Sequence, residues 1–189
     1  MGGSENKTKL MGCQRSFFMK KVFLVLVLTA IIATGTVFAD HPDGWGIGFV
    51  GGGGGGFIGN TAVGESYGLS LKVPGVPVYW GINPIFRSGI IHLGVTGDYY
   101  FIDDVLVSDI GLHWYVGVGG FASLTLGDPL GMTFGARVPV GISWQLGLAG
   151  PVEAIEVFLQ VAPSLGAMIL PKFDIYGGWN AELGFRVWF

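Results

Sequence analysis

The chain has 189 residues, of which half are hydrophobic, 12% are charged and 35 are glycine, with a formal net charge of −3. So apolar a composition excludes a disordered chain, and the length suits one domain. After residue 40 no run reaches the ~20 apolar residues of a membrane helix, so the hydrophobicity, glycine and aromatics together point to a β-barrel. Residues 40–189 carry five basic against twelve acidic side chains, which argues against nucleic acid as a partner.

Residues 1–18 read as an upstream leader or a mis-assigned start. Residues 19–39 read as a cleavable signal peptide. Met19-Lys20-Lys21 is the basic start, 22–32 the apolar region, and Val37-Phe38-Ala39 offers small residues for cleavage before Asp40. The single cysteine, Cys13, lies in the leader, so the domain at 40–189 is expected to hold no disulfide.

From 40 onward, eight segments alternate with period two, each closed by turn chemistry. The first, about 44–51, puts Trp45, Ile47 and Phe49 on one face. The six glycines at 51–56 bring no side chain to pack, so most of that run, leading into polar 60–65, is expected to be loop. Short segments at about 66–73 and 78–83 flank the tight turn Pro74-Gly75-Val76-Pro77, and 83–88 is expected as a loop. The fourth, about 89–101, sets Ile91, Leu93, Val95, Tyr99 and Phe101 against His92, Gly94, Thr96 and Asp98, with Asp103-Asp104 marking the next turn. The fifth, about 109–121, sets Leu112, Trp114 and Val116 against His113, Tyr115 and Gly117.

The sixth, about 131–145, sets Phe134, Val140, Ile142 and Trp144 against Thr133, Arg137 and Ser143. Pro139 inside it predicts a bulge or a split strand, because a closed sheet has no edge for a residue lacking an N–H. The seventh, about 152–162, sets Ile155, Val157, Leu159 and Val161 against Glu156 and Gln160, with a loop expected at 163–174. The last, about 176–189, alternates Trp179, Ala181, Leu183, Phe185, Val187 and Phe189 with Asn180, Glu182, Gly184, Arg186 and Trp188.

The expected fold is therefore all-β: an eight-stranded antiparallel transmembrane β-barrel, with apolar faces towards lipid. A soluble barrel of the lipocalin type would instead turn those faces inward. An even strand number brings both chain ends to one rim. Near that rim, on the apolar face, fall Trp45, Trp80, Tyr99, Phe101, Trp114, Trp144 and Phe189, an expected aromatic girdle. Facing the lumen by parity are Lys72, His92, Asp98, His113, Arg137, Glu156, Glu182 and Arg186. Mixed charges in a narrow enclosure are expected to pair, and many lumen-side glycines, Gly94 and Gly117 among them, are expected to leave a cavity open to water or ligand. His92 and His113 have no serine and carboxylate at comparable depth. No catalytic residue, metal site or cofactor is expected.

The ending Glu182-x-Gly184-x-x-Val187-x-Phe189 resembles the C-terminal insertion signal of outer-membrane β-barrels. Residues 40–189 as a whole are similar to the small eight-stranded outer-membrane proteins of the A, X and W types. The mixed interior charges look like the A type, and the glycine lining and apolar Ile169-Leu170 look more like the W type. This resemblance implies residence in a bacterial outer membrane, with outer-membrane lipid and the barrel-assembly machinery as partners. It also implies a narrow porin or channel for small, even hydrophobic, solutes. The alternative is a non-transporting surface barrel for adhesion, host-factor binding or envelope structure.

Overall fold

The computed structural model describes residues 41–59, 66–87, 89–148 and 151–189. The predicted leader, signal peptide and polar loop at 60–65 lie outside the described residues. The strands are β1 (Gly46–Ile58), β2 (Ser66–Lys72), β3 (Tyr79–Arg87), β4 (Ile90–Val107), β5 (Leu112–Leu126), β6 (Gly131–Arg137), β7 (Val140–Gly147), β8 (Ala154–Leu170) and β9 (Asp174–Trp188). One 3-10 turn, Ser108–Ile110, joins β4 to β5, closed by Gly111 at φ 64°, a left-handed backbone that favours glycine. No helix of the described residues is long and apolar enough to cross a membrane.

All pairings are antiparallel, and they close on themselves. The order β4-β3-β2-β1-β9-β8-β6-β5-β7 is completed by β4 with β5 and β8 with β7. β6 and β7 share one place, both lying between β5 and β8, so the sheet is a ring of eight strand positions. The split between them falls at Pro139. There Gly117 N–H donates to Pro139 O at 2.8 Å and Val138 N–H to Pro163 O at 3.0 Å, which carries the pairing across the residue that cannot donate.

The register shows how the ring closes. From Gly46 the partners run to Lys72, Tyr79, Asp98, Gly119, Arg137, Ser164 and Gly178, then back to β1 at Gly56. One circuit thus returns ten residues up the same strand. With the usual rise and strand spacing, that offset tilts the strands by about 40° to the ring axis. A ring of eight at this tilt has an interior that side chains can fill.

Four expectations of loop or turn are corrected. The glycines at 51–56 lie in β1, paired with β9 from Gly51↔Leu183 to Gly56↔Gly178. Backbone ladders need no side chain, and β9 supplies cover: the Trp179 ring lies 3.4 Å from where a Cβ of Gly55 would sit. β3 continues past Asn83 and Pro84 to Arg87, with Pro84 opposite Leu93. Asp103 and Asp104 lie within β4, opposite Tyr115 and Trp114. β8 runs on through Pro163 to Leu170. β8 keeps a ladder on both sides there, with β6 and β9, whereas in the other three segments a long ladder on one side, with β9, β4 or β5, holds the residues extended.

The faces sort by chemistry. Outward lie Phe49, Leu159 and Leu183, at 59%, 49% and 58% exposure. Inward lie Glu156 and Arg186, at 0% and 2%. The apolar faces are therefore outside, opposite to a soluble barrel of the lipocalin type.

Candidate functional site

The interior holds two polar layers joined by aromatic rings. The layer nearer the start of β1 centres on Glu156 of β8. Arg186 of β9 donates to both its oxygens at 3.0 and 3.1 Å, and Trp188 Nε1 donates at 3.0 Å. Arg186 Nε donates to Ser70 Oγ of β2 at 2.8 Å, and its guanidinium lies over the rings of Tyr79 and Phe158 at 4.7 and 4.1 Å.

His41, before β1, completes this layer. Its Nδ1 lies 2.5 Å from Asp103 Oδ2 and its Nε2 3.1 Å from Glu156 Oε1. Burial alone would lower its pKa. Glu156 and Asp103 outweigh that and push it up to about 9. The residue is thus held as an imidazolium, donating from both ring nitrogens.

The second layer lies further along the ring. Arg137 of β6 grips Glu182 of β9 with two bonds, 3.2 and 2.8 Å. Arg137 Nε also sits 3.3 Å from Asp98 of β4, an ion pair without the angle of a hydrogen bond. Gln160 Nε2 donates to Glu182 Oε2, and Gln160 Oε1 accepts from Tyr115 at 3.0 Å and Tyr100 at 3.4 Å. Tyr79, Tyr100 and Tyr115 stack at 4.2 and 4.3 Å between centroids. This stack ties the two layers together.

Of the residues predicted to face the lumen, Glu156 and Arg186 are brought together in the first layer, and Asp98, Arg137 and Glu182 in the second. His113 packs 5.6 Å from the His41 ring. Lys72 stands at the rim, 3.9 Å from the exposed Asp43. His92 stands apart near the far rim, bonded to Thr125 Oγ1 at 2.9 Å. Of the seven predicted girdle aromatics, Trp45, Trp80, Trp144 and Phe189 are exposed on the outer wall, while Tyr99, Phe101 and Trp114 are half-exposed. Trp45 and Phe189 exchange backbone bonds at 3.1 and 2.9 Å. Within the terminal motif, Glu182 and Gly184 are buried inside and Phe189 is exposed.

The expectation that lumen glycines leave open space is corrected for the part of the interior that holds these two layers. A Cβ on Gly141 would meet the Tyr115 ring at 2.5 Å, and one on Gly117 the Tyr100 ring at 2.7 Å. Gly184 likewise faces the Phe158 ring. These glycines make room for aromatic neighbours, and the rings fill it. Near the second layer there is a cavity of about 20 Å³ lined by Ser70, Tyr79, Asn83, Thr96, Asp98 and Gln160, room for one water. Gly94 keeps ordinary spacing, its nearest neighbours at 3.7 Å, on the far side where inward residues such as Ser123, Thr133 and Ser164 are only half-buried. The ring is thus a polar cup at one end and a packed plug at the other.

No family model, curated protein or solved structure matches this chain. Its chemistry therefore rests on its own geometry.

One arrangement invites a catalytic reading. Ser143 Oγ lies 3.2 Å from His41 Nε2, while Asp103 holds Nδ1. That is the atom order of a serine-hydrolase triad, from a histidine and a carboxylate that the sequence did not single out. The protonation differs. A general base must be neutral to take the serine proton, whereas this imidazole is held charged by a second carboxylate, Glu156, on the very nitrogen that would act. Ser143 is also 1% exposed. The geometry is that of a histidine ring held between two carboxylates, with Ser143 beside the second.

His41, Asp103, Ser143, Gln160 and the tyrosines are what sequence reasoning missed. Parity alone turned Ser143, Tyr115 and Gln160 inward, and that was a usable signal. Asp103 was masked by its resemblance to a turn, and His41 lies in no periodic segment.

Proposed function

We propose that this chain is an integral outer-membrane β-barrel and that it serves as a narrow small-solute channel held shut by its interior ion pairs. One observation carries the membrane reading: the outer wall is apolar along whole strands while the ionisable side chains Asp98, Arg137, Glu156, Glu182 and Arg186 are buried inside. On β8, every outward position from Ile155 to Ile169 is apolar. At the tilt above, those residues span about 35 Å, enough to cross the ~25 Å apolar band of such barrels. The exposed Trp45, Trp144 and Phe189 suit a membrane interface at the rim shared by the chain ends.

The channel reading rests on the polar cup and on what closes it. Apolar packing would plug a static barrel at least as stably as buried ion pairs do. Paired charges, by contrast, can separate and pair anew, which a passage that opens requires. The second reading, a non-conducting barrel serving envelope structure, is favoured by the completeness of the Arg137–Glu182 and Arg186–Glu156 pairing.

Single-channel recording of refolded residues 40–189 separates these readings. The wild type is expected to give rare, small steps, and Arg137→Ala more frequent or larger ones. Silence from both, in protein that shows a β spectrum and a heat-modifiable gel shift, leaves the structural reading standing alone. Absence of that spectrum and gel shift in detergent would defeat the barrel itself.

A further inference from the structure

We infer that the segment before β1 is a plug: His41 occupies a cation site built by the ring wall and closes the rim at which β1 begins. The site is assembled from six strands. β4 gives Asp103, β8 Glu156 and β7 Ser143. β3 gives the Tyr79 ring at 5.8 Å, β5 the His113 ring at 5.6 Å and β9 the Trp188 ring at 6.1 Å. The result is a slot with two carboxylates in line with the two N–H groups of a planar cation, and aromatic walls on its flanks.

The occupant is separable from the wall. Asp43 is exposed, and the strand ladder begins beyond it, with Trp45 paired to Phe189. The described tethers of this segment are side-chain ones. They are the three polar contacts of His41, and those of Asp43 with Gly75 N–H at 3.2 Å and Lys72 at 3.9 Å. Withdrawing His41 therefore breaks no ladder. It leaves Asp103 without a cation, because Arg186 is engaged with Glu156 and Ser70. An emptied slot is a carboxylate-lined gap that takes a small planar cation with opposed N–H donors, and imidazolium is the closest match.

That the plug closes a passage rests on the channel reading, but the slot can be tested without it. In detergent, His41→Gly is expected to melt below the wild type. Added imidazole should raise its melting point and leave the wild type unmoved. The 1-methyl derivative, with a single N–H in its cation, should raise it less. No imidazole response in folded His41→Gly would overturn the slot. In bilayers, His41→Gly is expected to open more often than the wild type and to be quieted by imidazole; an unchanged record would overturn the plug while leaving the Arg137→Ala test to judge the channel. If His41→Gly fails to refold alone, refolding in imidazole supports the slot. If it fails in both, Asp103→Asn decides, since it loosens the site without emptying it. Increased opening in that variant is expected, and unchanged opening overturns the plug.

Discussion

His41 is a single side chain on which six strands converge, and its charge ties the first layer to pH. Its pKa is raised in the folded chain, from the ordinary 6.5 of an imidazole to about 9. The stabilisation it adds is therefore complete below pH ~6.5 and is lost as pH climbs through about 9, by an amount on the order of a few kcal/mol. The groups facing it are Asp103, Glu156 with Arg186 behind it, His113, Ser143, Tyr79 and Trp188. Unfolding midpoints measured from pH 6 to 10 are expected to fall for the wild type and to stay flatter for His41→Asn. Parallel slopes would mean that the ring is not charged. At this scale the sequence was half legible. Parity placed Arg137, Glu156, Glu182 and Arg186 inside and on neighbouring strands. It had nothing to say about a histidine outside every strand, or about which carboxylate each cation would reach across the ring.

Strand by strand, alternation was the dependable signal and turn chemistry the misleading one. Proline and asparagine at 83–84, the aspartates at 103–104 and the proline at 163 read as stops, yet β3, β4 and β8 pass through all of them. Each segment has partners on both sides or a long ladder on one, and that pairing outweighs local preference. Pro139 did break its strand, because its ring is buried inside where no edge exists. The glycines show the same division between local and tertiary causes. Gly141→Ala pushes a methyl against the Tyr115 ring and the Leu159 carbonyl, both within 2.6 Å, and is expected to cost roughly 1–3 kcal/mol. Gly53→Ala points outward into open space and is expected to change stability by no more than about 0.5 kcal/mol. Urea titration of the two variants side by side checks the difference, and equal stabilities would refute the packing account.

For the molecule as a whole, the arrangement of faces makes the sharpest demand on its surroundings. Leu159 is outward on β8 between Ile142 and Leu183, well inside the apolar wall. Leu159→Arg is expected to cost about 2–4 kcal/mol in lipid vesicles, as for a charge near the bilayer midplane, whereas a change near the interface costs about 0–1 kcal/mol. Phe173, 64% exposed in the turn between β8 and β9, supplies the second case as Phe173→Arg. Equal tolerance of both would remove the membrane from the account.

The meeting of β1 with β9 has a consequence for how such a chain can be made. Every other wall contact joins strands close in sequence, but this one joins Gly46 to Trp188. Until β9 arrives, β1 and β8 both present bare rows of N–H and C=O groups, the kind of edge on which foreign strands dock. The incomplete chain is thus sticky at two places at once. A chain cut short before β9 is expected to remain an open, self-associating sheet.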